Sequence, residues 1–382
     1  MAKMESSKGF ETASSLETSL DFLFWLTTWF LGQSMSSSAP DITVLMSAYN
    51  AERYVSESIE SILDQTFTNF EFLIIDDGSS DSTSKIIESH KDPRIRLVRN
   101  EKNIGLTRSL NKGIRLAVSN YIARMDADDI SLPDRLEKQF QTFSFDPSLT
   151  LCASRMEIID ENGRPTGIIY PTISPSLLPW RLLFGNQIPH TSVMVKRQAL
   201  IEMGGYAEWA ERSQDHELWA RINHEHKVRM IPDILVYWRD HSSNITQIDF
   251  QAQRQTQREV VHRSLERLTG APISRDFTLH LHELVHCRKY VAKDFTIDAL
   301  RLLDQINLTF CNHYKPNSDA QRLLKENIQA IYENLMSSAT RQLSLPSLMV
   351  CAYVLFNYPR SALGGVIKSG QSLLRKMSSH LY

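Results

Sequence analysis

Between residues 41 and 126 short apolar runs alternate with segments whose apolar positions recur every three or four residues. DITVLMS reads as a buried strand, and FEFLIID, RIRLVRN and YIARMD read as further strands. Between them, ERYVSESIESILDQT places Val55, Ile59, Ile62 and Leu63 on one side of a helix. SDSTSKIIESH reads as a helix opened by Ser/Asp caps, and GLTRSLNKGIRLAVS as a third helix. This βαβαβαβ order predicts an α/β fold with a mostly parallel, right-handed wound sheet. Ligands of such sheets bind outside the carboxyl ends of the strands. Three of those ends carry polar chemistry: SAYN at 47–50, DDGSSD at 76–81 and DADD at 126–129.

Beyond 149 the rhythm changes. LTLCASRMEIID and RPTGIIYP flank the turn-forming ENG, a hairpin signal, and HTSVMVKR and ILVYWRDH read as strands around a helix in DHELWARINHEH. From about 250 the chain reads as helices, among them FQAQRQTQREVVHRSLERL, TLHLHELVHCRKYVAKD and NSDAQRLLKENIQAIYENLM. The last segment sets Leu363, Val366, Ile367, Leu374 and Met377 against Ser361, Lys368, Ser372 and Arg375, an amphipathic helix suited to packing or to a membrane surface.

A length of 382 residues favours two domains, or one large domain with appendages. We divide the chain into 1–40, an appendage; 41–246, the α/β domain; and 247–382, a helical C-terminal region. The apolar run at 20–32 is shorter than the roughly 20 residues of a membrane span and lacks the basic flank of a signal peptide; Met35 offers an alternative start. A net charge of -2 carries no sign of nucleic-acid binding. Its distribution is uneven, since 251–382 holds 17 Lys+Arg against 10 Asp+Glu, and no acid follows Glu333. Such a tail fits either anionic lipid or a plain solvated face. Cys152, Cys287, Cys311 and Cys351 match no zinc or redox spacing and read as reduced core thiols of a cytoplasmic protein.

The cluster Asp126, Asp128 and Asp129 calls for a counter-charge, because two carboxylates about 4 Å apart repel by roughly 4 kcal/mol at an effective dielectric of 20. Hard divalent cations are held by one or two carboxylates plus substrate phosphates, which Asp126 and Asp128 fit; capping of the helix that follows is the plainer alternative. An EF-hand fails here, with Ile130 and Ser131 at the fifth and sixth loop positions.

Four segments in order, ITVLMSAYN, LIIDDGSSD, YIARMDADDISLPDRL and SQDHELWARI, resemble the inverting family 2 glycosyltransferases of the GT-A fold, over Ile42 to about Asn244. The resemblance implies a mixed sheet followed by helices, and transfer from a nucleotide diphosphate sugar to a sugar or lipid-linked sugar acceptor. Relatives act in bacterial exopolysaccharide or lipopolysaccharide synthesis, often at the inner face of the membrane. By the same resemblance Ser47, Tyr49 and Asn50 form the nucleotide-facing turn, with Tyr49 stacked on the base. Asp77 accepts a hydrogen bond from the base, with Asp76 close by; Asn103 lies in a turn near the donor. Asp126 sits near the ribose or sugar, and Asp128 holds Mn²⁺ or Mg²⁺, with Asp126 and His241 as further metal candidates.

Inversion needs a base for the acceptor hydroxyl, and Asp215 is the candidate; an N-cap role for it is also open. Arg108 and Asn111 serve either donor contacts or a helix cap, and His190 either the acceptor side or the fold. Trp180 and Trp209 offer flat rings to a sugar, whereas Trp219 reads as core. Asn120 stands where the family often has glycine, and Leu110 where it often has arginine. HELVH at 282–286 matches the zinc-protease pattern but lacks its extended histidine. The alternatives are a non-catalytic nucleotide-sugar binding module and a nucleotidyltransferase, although SAYNAERY has neither the glycines nor the lysine of a phosphate loop.

Overall fold

The computed structural model describes residues 39–171, 174–242, 244, 250–287, 297–339 and 345–358. The apolar run at 20–32, Met35 and the amphipathic segment from 361 lie outside the described residues, as do Arg341, Arg360, Lys368, Arg375 and Lys376.

The first half follows the sequence pattern closely: β1 (Ile42–Ala48), α1 (Val55–Leu63), β2 (Phe70–Asp76), α2 (Thr83–Ser89), β3 (Ile95–Arg99), α3 (Leu106–Leu116) and β4 (Tyr121–Asp126). β5 (Ile130–Ser131), α4 (Arg135–Phe145), β6 (Leu149–Ile159) and β7 (Pro165–Tyr170) follow. Then come α5 (Leu178–Leu182), β8 (Met194–Lys196), α6 (Arg197–Glu202), α7 (Gln214–Glu225) and β9 (Lys227–Arg239). The chain continues in α8 (Phe250–Thr269), α9 (Arg275–Cys287), α10 (Ile297–Tyr314), α11 (Ser318–Ala339) and α12 (Leu345–Asn357).

Strand order is β3-β2-β1-β4-β8-β6-β9-β5, with β7 paired to β6. β3, β2, β1 and β4 run parallel, whereas β8 is antiparallel to β4 and to β6. The wound parallel half is therefore extended by a mixed half. β1 and β2 are buried along almost their whole length, as inner strands covered on both faces must be. β3 carries the exposed Arg96 and Arg99 among apolar residues and closes the edge.

Alternate strand residues feed two apolar layers. Leu45, Leu73, Leu151 and Val195 face α3, α5 and α7 through Leu110, Leu182 and Trp219. Val44, Phe72, Ala123 and Met194 face α1, α2 and α4 through Ile59, Ile87 and Phe143. Gly113 allows α3 to lie close on β1, since a Cβ there would fall 2.3 Å from Leu45 Cδ1. A third cluster joins the C-terminal helices to the region of α5: Trp180 and Phe184 are fully buried with Phe310, Leu303 and Tyr332. This overturns the expectation that Trp180 faces sugar. Trp219 is core, as expected. Cys152, Cys311 and Cys351 are free thiols. No described helix is long and apolar enough to cross a membrane.

Candidate active site

Sheet register gathers the polar strand ends. Ser47 pairs beside Asp126, and Ala48 beside Asp76, so the ends of β1, β2 and β4 form one edge. Tyr49 stands there 49% exposed, a ring left free to stack. Asn50 adopts a positive φ of 48° and accepts the Ser80 amide at 2.9 Å, while its own amide donates to Ser79 Oγ. It thus locks the turn after β1 to the turn after β2.

Asp76 and Asp77 are both buried but serve differently. Asp77 takes three donors, from the Asn100 side chain at 2.7 Å and the amides of Ile104 and Gly105 at 3.0 and 2.9 Å. It anchors the 100–105 loop. The Ser79 amide donates to Asp76. Gly78 between the loops has φ +71°, and a Cβ there would lie 2.5–2.8 Å from the backbone of Lys102 and Asn103. Asn103 is exposed and accepts the Gly105 amide. Arg108 pairs with Glu208, and Asn111 exchanges hydrogen bonds with the Tyr206 backbone, so neither side chain caps α3. Asn120 carries no positive φ, and Leu110 is core.

The acidic turn after β4 is tied to β9. Short β5 runs antiparallel to β9, with Ile130 opposite Tyr237, which carries the preceding turn to the end of β9. There Asp129 accepts the Arg239 amide at 2.9 Å, and the Arg239 side chain donates to the Asp128 carbonyl and to Glu57. His241 Nε2 lies 3.1 Å from Asp128 Oδ2.

Three buried arginines, Arg124, Arg135 and Arg239, lie behind the aspartates. Arg124 donates from Nη2 to Asp126 at 2.5 Å, while its Nε and Nη1 find no acceptor. Arg135 donates to the carbonyls of Arg124 and Val193, and burial pushes its pKa down to about 9. The counter-charge sought in the sequence is therefore partly in the chain itself. Burial still raises the Asp126 and Asp129 carboxyls, helped by the neighbouring Asp128; Arg124 opposes this at Asp126.

Asp215 is the second residue of α7, behind the N-cap Ser213. It accepts hydrogen bonds from Asn186 Nδ2 at 2.6 Å and from the His216 amide at 2.7 Å. Burial, and then the charge of Asp126, raise its pKa to about 6. Asp126 and Asp215 both bear on Tyr206, whose hydroxyl lies 2.9 Å from His190 Nε2. Burial and the Arg124 charge hold His190 neutral, with its pKa well below the usual value. Asp126, Asp215, Tyr206, His190 and Arg124 are thus close enough to feel one another's charge or to share hydrogen bonds.

Asp128 and His241 together offer an oxygen and a nitrogen at hydrogen-bonding separation, a donor set suited to Mn²⁺ or Mg²⁺ if substrate phosphates complete it. Among the described residues no three of His, Cys, Asp and Glu form a complete cage by themselves. For the HELVH motif, His282 is buried on α9; the side chains of 283–286 lie outside the described residues.

The family model "Glycosyl transferase family 2" matches residues 43–203. An uncharacterized glycosyltransferase of Methanocaldococcus jannaschii is 37% identical over 52% of this chain and 71% of its own length. The O-antigen biosynthesis glycosyltransferase WbnJ of Escherichia coli is 34% identical over 48% of this chain and 72% of its length. The amylovoran biosynthesis glycosyltransferase AmsE of Erwinia amylovora is 30% identical over 51% and 74%. TarS of S. aureus, solved with UDP-GlcNAc, superposes with a TM-score of 0.51 at 16% identity, covering 84% of this chain and 90% of that one. The fold is thus of the GT-A type. The chain belongs to glycosyltransferase family 2 and is a glycosyltransferase.

Proposed function

We propose that this enzyme moves a sugar from a nucleotide diphosphate sugar to an acceptor hydroxyl, with inversion, in cell-surface polysaccharide or glycolipid synthesis. The observation that carries the reading is Asp215: a buried carboxylate whose pKa is raised to about 6 by burial and by the charge of Asp126, which stands at the carboxyl edge of the sheet. An ordinary carboxylate is too weak a base to draw a proton efficiently, and raising its pKa toward working pH improves it.

The acceptor oxygen attacks the anomeric carbon from the side opposite the diphosphate. Its proton passes to Asp215, and the bond to the diphosphate breaks with its electron pair leaving on that group. Asn186 and the His216 amide orient the carboxylate. Neutral His190 and Tyr206 stand near these groups without adding charge. Tyr49 stacks on the base. Because Asp77 already serves three donors of the 100–105 loop, Asp76 is the better-placed acceptor for the ring N–H. Asp128 and His241 would hold Mn²⁺ or Mg²⁺, with Asp126 beside them. When bound, the cation neutralises charge on the leaving diphosphate.

Membrane contact through the C-terminal helices, and a cytoplasmic location at the inner face, belong to the same reading; binding to anionic liposomes that weakens with salt is its signature. The experiment for the main reading is a screen of nucleotide sugars for slow hydrolysis, with and without Mn²⁺, followed by NMR of the anomeric configuration in the transferred product. Hydrolysis of one donor and an inverted linkage are expected. Failure of every donor, or a retained configuration, sinks the reading.

A further inference from the structure

Beside the 3-10 turn Glu208–Ala210, a groove of about 480 Å³ opens against α8 and α9. That volume is in the range of small-ligand sites. Its walls mix polar side chains, Gln255, Thr256, Glu259 and Arg275 among them, with apolar ones, Ala252, Leu279 and one large flat ring, Trp209, which is 43% exposed.

The ring is stacked on one side, and the turn that carries it is tied down. The Arg263 guanidinium lies 4.1 Å from its centroid, an arrangement favoured by the ring's negative face. Arg263 is itself fixed by Glu259 at 2.8 Å, and Glu259 also pairs with Arg275. At the other end of the turn, Glu208 pairs with Arg108 of α3 at 2.9 Å. An aromatic ring is costly to keep in water, and here ionic contacts around it fix it at the lip of the groove.

Only residues 210–214 separate Trp209 from Asp215, so their α-carbons lie within about 20 Å of each other. This sets an upper limit on the gap between the groove and Asp215, one that a glycan of several sugar units spans. The donor is expected at the ends of β1, β2 and β4, which leaves the groove to another molecule. One flat apolar surface among hydrogen-bonding groups matches a carbohydrate, which presents a C–H face and hydroxyl edges.

We infer that the groove between Trp209 and α8–α9 is a subsite for the acceptor glycan, holding a sugar unit behind the one whose hydroxyl reacts. The inference rests on the transferase reading above. Its test uses the full chain with radiolabelled donor, and as acceptor the membrane fraction of a source strain from which the gene has been deleted. W209A should lower labelling efficiency, as kcat/KM for acceptor, by on the order of tenfold, while the donor KM for slow hydrolysis moves less than about twofold. W209F should recover most of the loss, and Q255A should show a smaller one of the same kind. Equal labelling by W209A and the unaltered enzyme overturns the subsite, as does a W209A loss shared equally by donor KM. Hydrolysis by the unaltered enzyme without any labelling also counts against a glycan acceptor. Absence of hydrolysis with every donor refutes the transferase reading instead.

Discussion

Replacing Asp215 with asparagine separates a catalytic carboxylate from a helix cap, because the two roles give opposite signs of stability change. In the folded chain Asp215 keeps its proton up to a pKa of about 6, against a usual value of 3.8. Each pKa unit is about 1.4 kcal/mol, so holding the buried carboxylate ionised costs about 3 kcal/mol above pH 6. Between the two pKa values the native state binds a proton that the unfolded state has released, and stability from this group falls as pH rises through that window. Asparagine carries no charge. Asn186 and the His216 amide both donate to the carboxylate, and imperfect replacement of one bond returns about 1 kcal/mol. D215N should therefore be about 2 kcal/mol more stable than the natural chain at pH 8, with the gain gone below pH 4. Urea unfolding at both pH values reads this directly. Meanwhile kcat should drop by about 10²–10⁴, the span of general-base catalysis. A cap-only Asp215 would instead cost stability, about 1 kcal/mol on loss. D215N that is less stable at pH 8, or that keeps its kcat, refutes the argument.

The pH profile of kcat/KM should rise about tenfold per unit up to about pH 6 and then level, following ionisation of Asp215; stopped assays across pH 4.5–8.5 check it, and a flat profile contradicts it. H241A should raise the Mn²⁺ concentration for half-maximal activity by about tenfold or more, because His241 faces Asp128 at 3.1 Å; metal titration reads the shift. G78A should destabilise the chain by roughly 2 kcal/mol or more, since a left-handed φ and a clash with the Lys102 backbone act together; denaturant unfolding measures it. D76N should raise donor KM with the fold intact, whereas D77N should lower stability by releasing the 100–105 loop; paired kinetics and unfolding distinguish them.

The parallel half of the fold was legible because its signals are local. β1, β2 and β4 fall within a residue of the apolar runs, and the acidic turns follow directly. The meeting of Asp128 with His241 was not readable as geometry. It depends on β5 pairing with β9 from the far end of the domain, a register that no local pattern encodes. The buried arginines escaped notice for a different reason: Arg124 and Arg239 lie in strands where a charged residue reads as solvent-facing, and only the folded acid cluster makes their burial affordable. Trp180 misled because its cover, Phe310, arrives from a helix much later in the chain. The anchoring of the 100–105 loop by Asp77 is not legible either, because two of its three partners are backbone amides, which carry no mark in a sequence.

The apolar cluster that Trp180 and Phe184 share with α8–α12 bears on how the protein can be handled. Excising the glycosyltransferase segment at about residue 246 would strip both rings of their cover and leave a greasy scar next to the loop that carries Asn186. Such a fragment should clump, and even a soluble portion should hold Asp215 poorly, because Asn186, its hydrogen-bonding partner, follows the uncovered stretch within two residues of Phe184. The helices after 250 are thus the far wall of the catalytic half, and trimming them is a cut into its core.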